Sequence, residues 1–383
     1  MSYEILDKAQ KGELGEAKAI AAKVLLAVAR SAKANGFVKI TSAHISGINY
    51  YNIGESGLEL LRDISKEAKF VVPTSINPCG APVNQDDSKF PLEVVKKQKE
   101  IYEIFMKMGA LSSCTCVPYE GRNVPKPNEH VSWAESSAVV YGNSVLGIYT
   151  NKEGGLSALA SAILGFTPNY GMHLDENRKP KKIVKVNFEI RGEVDYGALG
   201  YYIGGLKEIV GVIGIEKAKK SELKALSASI GTYGPQPMFV LNPNEKVETI
   251  DLEERQLKEI KAKLTEEESP QAIVLGCPFL SAEELREFVR KVNGKRFLVP
   301  IYLFVDKTNY ESLRDDEKAE LINSNAKVYF DVCPSLSFLP ETLGYSSVVT
   351  NSFKHYFYTK HQSNVHVKLM DIDEIIENYS KKQ

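Results

Sequence analysis

Apolar positions along this chain keep two alternating rhythms. Between Gly12 and Ala34, Ile20, Val24 and Val28 recur at four-residue spacing, the signature of one helical face, and Gly36 supplies a stop. Phe37 to Ala43 then reads as a strand, followed by a polar loop containing His44, Ser46 and Gly47. Leu58, Leu61 and Ile64 mark a second helix, and Phe70-Val71-Val72 a second strand that empties into Asn77-Pro78-Cys79-Gly80. Alternation of this kind predicts α/β architecture with substantial parallel sheet. Polar residues leaving the carboxyl ends of such strands are where these sheets bind ligands.

The same grammar recurs three times. A helix from Pro91 to Met108 carries Val94, Val95, Ile101, Ile104, Phe105 and Met108 and stops at Gly109; a short strand-like segment then delivers Cys114-Thr115-Cys116-Val117-Pro118-Tyr119. Ala272-Ile273-Val274-Leu275 reads as a buried strand running into Gly276-Cys277-Pro278, and Ser281 with Glu284 forms a capping box for the helix that follows. Ala326-Lys327-Val328-Tyr329-Phe330 leads in turn to Asp331-Val332-Cys333-Pro334. The proline after Cys277 and after Cys333 keeps the cysteine backbone extended and is expected to end regular structure there.

Length adds that one ordinary domain is exceeded: 383 residues predict two α/β lobes, 1–200 and 201–383, sharing an extended core. The formal net charge of −1 leaves no basic face for nucleic acid. The most apolar early stretch, Ala19 to Ala29, is interrupted by Lys23, and the first residues are acidic rather than basic-then-apolar. A soluble, cytoplasmic protein without membrane association is expected.

Five cysteines, an odd number in a large chain, argue for reduced thiols over a disulfide framework. Free thiols are often just small buried hydrophobes. Here several stand at strand ends, the rim of a sheet, which suits metal ligation. Structural zinc prefers Cys-x-x-Cys pairs, and the chain has none. Ligands from distant strands suit a buried cluster better than a zinc knuckle. An iron–sulfur cube with three protein ligands leaves one iron open as a Lewis acid, whereas electron-transfer clusters normally take four cysteines.

Longer motifs sharpen this. Ser42-Ala43-His44-Ile45-Ser46-Gly47, Asn77-Pro78, Cys116-Val117-Pro118-Tyr119 and Glu129-His130-Val131-Ser132-Trp133-Ala134-Glu135-Ser136-Ser137-Ala138 occur in that order. Gly142-Asn143-Ser144-Val145-Leu146-Gly147, Thr150-Asn151-Lys152-Glu153-Gly154-Gly155, Pro168-Asn169-Tyr170-Gly171-Met172-His173-Leu174 and Asp195-Tyr196-Gly197-Ala198-Leu199-Gly200 come next. Gly276-Cys277-Pro278 and Asn351-Ser352-Phe353-Lys354 complete the series. Over nearly its whole length the chain thus resembles the aconitase X family, and within it the large subunits of archaeal phosphomevalonate dehydratases.

The resemblance implies an aconitase-like fold of parallel-sheet lobes, with a cluster at the carboxyl ends of strands. Its ligands would be Cys116, Cys277 and Cys333, leaving Cys79 and Cys114 as buried neighbours. The implied cofactor is a [4Fe-4S] cluster, with [2Fe-2S] or mononuclear iron as alternatives. Gly47, Ile48, Asn49, Asn77, Pro78, Glu135, Ser136 and Lys354 would contact substrate, and Glu135, Ser136 and His44 would form the catalytic group. The implied activity is a hydro-lyase dehydrating (R)-5-phosphomevalonate to trans-anhydromevalonate 5-phosphate in isoprenoid biosynthesis. cis-3-Hydroxy-L-proline dehydration is the alternative, and a non-catalytic metal- or small-ligand-binding protein the alternative of another class. No segment matches the family's small swivelling domain, so a separate small subunit is expected, giving a heterodimer that carries the general base.

Bland readings stand beside these. Lys354 alone reads as a solvated surface lysine, and Glu135, placed on a probable helix, as a paired structural charge. His44, His130 and His173 could be structural hydrogen-bonders. Several positions depart from the family pattern: Lys152 for Arg, Phe279 for His, Asn49 for Ser, and the whole segment Gly231 to Pro237. Lysine lacks the planar fork of arginine, so these changes bear on substrate identity.

Overall fold

The computed structural model describes residues 2–121 and 124–382. Its first unit opens with α1 (Ser2–Gln10) and α2 (Glu16–Ser31), so the helix expected from residue 12 starts four residues later and has an unforeseen predecessor. Then follow β1 (Phe37–Lys39), β2 (Ala43–Ile45), α3 (Tyr50–Ile64), β3 (Thr74–Ile76), α4 (Leu92–Met108), β4 (Ser132–Trp133), α5 (Ser136–Tyr141), α6 (Gly155–Leu164) and β5 (Phe166–Pro168). β2 lies between β3 and β4, all parallel, while β1 pairs antiparallel with β5. The single strand expected over 37–43 is therefore two strands in different sheets. Phe70-Val71-Val72 is not a strand either. Val71 is 56% exposed, and pairing with β2 starts only at Thr74, beyond Pro73.

The second unit is β6 (Lys182–Val186), α7 (Gly192–Leu206), β7 (Val210–Ile213), α8 (Lys220–Tyr233), β8 (Val240–Leu241), β9 (Glu248–Leu252) and α9 (Glu254–Leu264). Its parallel sheet has the order β8-β7-β6-β9. α7 and α8 approach so closely that a Cβ on Gly200 would lie 2.5 Å from Ser229 Cβ, which only glycine avoids. Residue 200, where the sequence divides the lobes, falls inside α7.

The third unit contains β10 (Ala272–Leu280), α10 (Ala282–Val292), β11 (Lys295–Phe297), β12 (Ile301–Val305), α11 (Lys307–Glu311), α12 (Asp315–Asn323), β13 (Ala326–Phe330), α13 (Leu339–Leu343), β14 (Ser347–Thr350), α14 (Phe353–Gln362), β15 (His366–Leu369) and α15 (Ile372–Tyr379). Five parallel strands run β13-β12-β10-β14-β15, with every residue of the central β10 buried. Continuous apolar runs of this kind belong to sheets covered on both faces. The capping box holds as expected: Glu284 N donates to Ser281 Oγ at 3.2 Å and Ser281 N to Glu284 Oε2 at 2.7 Å.

One expectation at this strand fails. β10 does not end at Gly276 but continues through Cys277 to Leu280, with its register against β12 shifting between Leu275 and Leu280. Gly276 makes the passage possible. Its φ is +105°, and a Cβ there would sit 2.2 Å from Phe304 O. Trp133 of the first unit and Phe279, Phe304 and Tyr329 of the third share one core, so the cysteine-bearing strand ends of both units are packed against a common floor. No helix among the described residues is long and apolar enough to cross a membrane.

Candidate functional site

Three parallel strands of the first unit end side by side, and each hands a loop to the same cavity. β2 leads to Ser46-Gly47-Ile48-Asn49, β3 to Asn77-Pro78, and β4 to Ala134-Glu135-Ser136. From the third unit come Gly276-Cys277 in β10, Cys333 after β13, and Lys354 in the first turn of α14. These segments, with Cys116, enclose a cavity of about 350 Å³. All three expected ligand cysteines line it, as do all eight expected substrate residues. A larger cleft of about 760 Å³ between the second and third units contains none of the cysteines.

His44 is the exception. It is fully buried and does not line the cavity; its ring stands behind Asn77, with Nε2 2.9 Å from Asn77 Oδ1 and Nδ1 2.8 Å from Ser75 Oγ. Burial pushes its pKa down to about 4, so the ring is neutral: Nε2–H donates to the amide oxygen while Nδ1 accepts from the serine. With its oxygen held, Asn77, which lines the cavity, keeps an Nδ2 that carries no hydrogen bond among the described residues.

Glu135 is not within a helix, as expected, but caps one. Its Oε2 accepts from Ala138 N at 2.7 Å and starts α5. Its Oε1 pairs with the Lys354 ammonium, which also donates to Ser137 Oγ at 2.7 Å. Burial is the largest single influence and works against the lysine's charge, but Glu135 together with Tyr358, Cys277 and Cys116 raises the Lys354 pKa. Asn49 is likewise occupied: Oδ1 accepts from Tyr51 N at 2.9 Å to cap α3, and Nδ2 donates across the unit boundary to Leu336 O at 2.7 Å.

The cysteines are set by backbone as much as by packing. Cys116 Sγ accepts from Phe279 N at 3.2 Å, so the residue replacing the family's histidine contributes its main chain whatever its side chain. Cys277 Sγ lies 3.1 Å from Ser335 Oγ, which in turn is 3.1 Å from His355 Nδ1. Cys333 N donates to Cys79 O at 2.8 Å, and Cys79 N to Asp331 O at 2.7 Å. Cys79 and Cys114 are completely buried with their sulfurs 3.4 Å apart, outside the cavity lining. Burial pushes all three cavity thiols up, Cys333 to about 12, so without a cation among them they stay protonated. Among the described residues no three Cys, His, Asp or Glu side chains converge closely enough for a single ion. Three thiols line one cavity, and Cys116 and Cys277 already meet an N–H and an O–H group, the kind of support that metal-ligating thiolates receive.

Three family models match the chain between residues 5 and 381: aconitase X first domain over residues 5–176, second domain over 180–268 and third domain over 270–381. The chain belongs to the aconitase X family. A phosphomevalonate dehydratase large subunit of Thermococcus kodakarensis is 36% identical over 95% of this chain and 96% of that protein. A cis-3-hydroxy-L-proline dehydratase of Pseudomonas aeruginosa is 28% identical over 91% of this chain and 64% of its own length. The crystal structure of a T. kodakaraensis aconitase X in its holo-form superposes with a TM-score of 0.90 at 34% identity, covering 98% of both chains. This aconitase X chain is a dehydratase of the hydro-lyase class, which sets aside the non-catalytic alternative.

Several residues of the aconitase X site escaped the sequence. Gln98, buried on α4, clamps two cavity loops: Oε1 accepts from Tyr50 N at 3.1 Å and Gly80 N at 2.9 Å, and Nε2 donates to Ile48 O at 3.0 Å. Its signal was a glutamine on the apolar face of that helix. Tyr358 lines the cavity one turn beyond Lys354, a spacing that was readable. Lys152 does not line it; Nζ donates to Gly234 O at 3.0 Å and Gly231 O at 3.4 Å, so two departures from the family pattern touch each other. His130 and His173 bond one another, Nδ1 to Nδ1 at 2.9 Å.

Proposed function

We propose that this chain is the large subunit of an iron–sulfur dehydratase converting (R)-5-phosphomevalonate to trans-anhydromevalonate 5-phosphate, with Cys116, Cys277 and Cys333 holding a [4Fe-4S] cluster. The observation that carries the reading is the meeting of those three cysteines with Asn77, Ser136 and Lys354 around one cavity. Near-complete coverage of the phosphomevalonate dehydratase large subunit, against partial coverage of the longer hydroxyproline enzyme, supports the choice of substrate.

When bound, a cluster with three protein ligands supplies an open iron able to polarise a hydroxyl. The chain's own residues place the substrate against it. Asn77 Nδ2, fixed by His44, and the Ser136 hydroxyl offer neutral donors to oxygen atoms of the substrate. Lys354 sets a positive potential that Glu135 partly offsets. Holding the reacting groups in one geometry and stabilising developing charge supply most of the rate. No free carboxylate stands ready to take the proton beside the substrate carboxylate. Glu135 is the one acid lining the cavity among the described residues, and both its oxygens are engaged. The base is assigned to a small swivelling subunit that closes the cavity, making the enzyme a heterodimer.

One observation favours cis-3-hydroxy-L-proline instead. Lys354 is the one cation lining the cavity among the described residues and is already paired, which suits a zwitterion better than a phosphate ester. Anaerobic assay of the large subunit with its small subunit on both substrates, products identified by NMR, decides between them. Turnover of phosphomevalonate is expected; turnover of hydroxyproline alone reverses the assignment, and turnover of neither removes both.

A further inference from the structure

α14 starts immediately after β14, capped by Ser352, whose Oγ accepts from His355 N at 3.0 Å. Residues four apart share a helical face, so Lys354 and Tyr358 look the same way, into the cavity with Cys116, Cys277 and Cys333. Their states differ. Lys354 is buried and committed to Glu135 and Ser137. Tyr358 is half-buried, and its hydroxyl makes no hydrogen bond among the described residues.

A half-buried tyrosine presents an apolar ring to the wall and a hydroxyl free to donate into the cavity. The phenol lines the same cavity as Lys354, Glu135, Cys277 and Cys333. Burial raises its pKa, with Lys354 opposing, so the oxygen keeps its proton at neutral pH. With the one lining cation already paired, an incoming carboxylate, which only accepts, must be met largely by neutral donors. Asn77 Nδ2 and Ser136 offer them from the first unit; from the third, the Ser335 hydroxyl is engaged with Cys277 Sγ and His355 Nδ1, which leaves the phenol.

We propose that Tyr358 donates a hydrogen bond to the substrate carboxylate and is a binding residue of this site. The inference rests on the dehydratase reading and holds for either candidate substrate, since both carry a carboxylate beside the carbon that loses its proton. Phenylalanine removes the donor and keeps the ring.

The test compares wild type with Tyr358→Phe, both assembled with the small subunit, on phosphomevalonate and on cis-3-hydroxy-L-proline. Iron and sulfide content is measured on the same samples. A hydrogen bond to a charged group predicts KM raised about tenfold or more, kcat within about threefold, and unchanged iron and sulfide. KM within twofold of wild type overturns the assignment. Loss of iron from the variant also overturns it, because Tyr358 would then support the metal centre and not the substrate. A wild type inert on both substrates is a different failure: it removes the dehydratase reading, and this inference with it.

Discussion

Lys354 and Glu135, 219 positions apart in the chain, meet as a buried ion pair on the wall of the cysteine cavity. The pair ties α14 of the third unit to the start of α5 in the first, adding to the shared core and the Asn49–Leu336 contact that join the two cysteine-bearing units. Removing one member of a buried pair leaves the other charge uncompensated, at a cost of about 3–5 kcal/mol. Glu135→Gln and Lys354→Met should each lower unfolding free energy by about that much in anaerobic denaturant titrations. The double variant should lose clearly less than the sum. Additive losses would show that the two residues act independently.

His44 acts through Asn77. His44→Phe removes the group that fixes the amide and should lower kcat/KM about ten- to a hundredfold with iron content unchanged, a range typical of lost supporting contacts. Asn77→Ala should do the same. Combining them should be no worse than Asn77→Ala alone, and a multiplicative double variant would instead give His44 a separate role.

The βαβ grammar and the strand-end cysteines were legible because apolar periodicity and the residues that break it are local properties. The core of β10, β13 and the cap of α10 follow directly from them. What crosses the chain was not. α7 buries Val194, Tyr196, Ala198 and Leu199 nearly all round, so it shows little amphipathic signal and hides the start of a separate sheet unit. Phe70-Val71-Val72 is apolar without being paired, and Pro73 delays the strand. The Asn49–Leu336 and Glu135–Lys354 contacts depend on how the units dock, which no window of sequence contains.

Lys152 spreads its charge over the carbonyls of Gly231 and Gly234, at the end of α8. Lys152→Met should cost about 1–3 kcal/mol by leaving those carbonyls unmet, read as a lower denaturation midpoint. Lys152→Arg should not fully restore it, since a planar fork does not match a point charge between two carbonyls. An unchanged midpoint in the methionine variant would contradict the contact.

Acid should destabilise the fold through His173. Burial, with smaller contributions from His130 and Arg178, holds its pKa near about 3, below the ordinary value of 6.5. The unfolded chain therefore takes up the proton first. This histidine's stability contribution is complete above about pH 6.5 and is lost as pH falls towards about 3, at about 1.4 kcal/mol per pH unit. The advantage of wild type over His173→Asn should shrink on that slope between about pH 6 and pH 4.5. A pH-independent difference would contradict it.

The account turns on three of five cysteines. The most direct measurement is iron and acid-labile sulfide in anaerobically purified wild type and in Cys116→Ala, Cys277→Ala, Cys333→Ala, Cys79→Ala and Cys114→Ala. Wild type should carry both elements, the first three variants should lose them, and the last two should retain them. Iron without sulfide would replace the cluster by a single metal ion. A reconstituted wild type free of iron would contradict the central claim and leave the cavity cysteines as buried thiols.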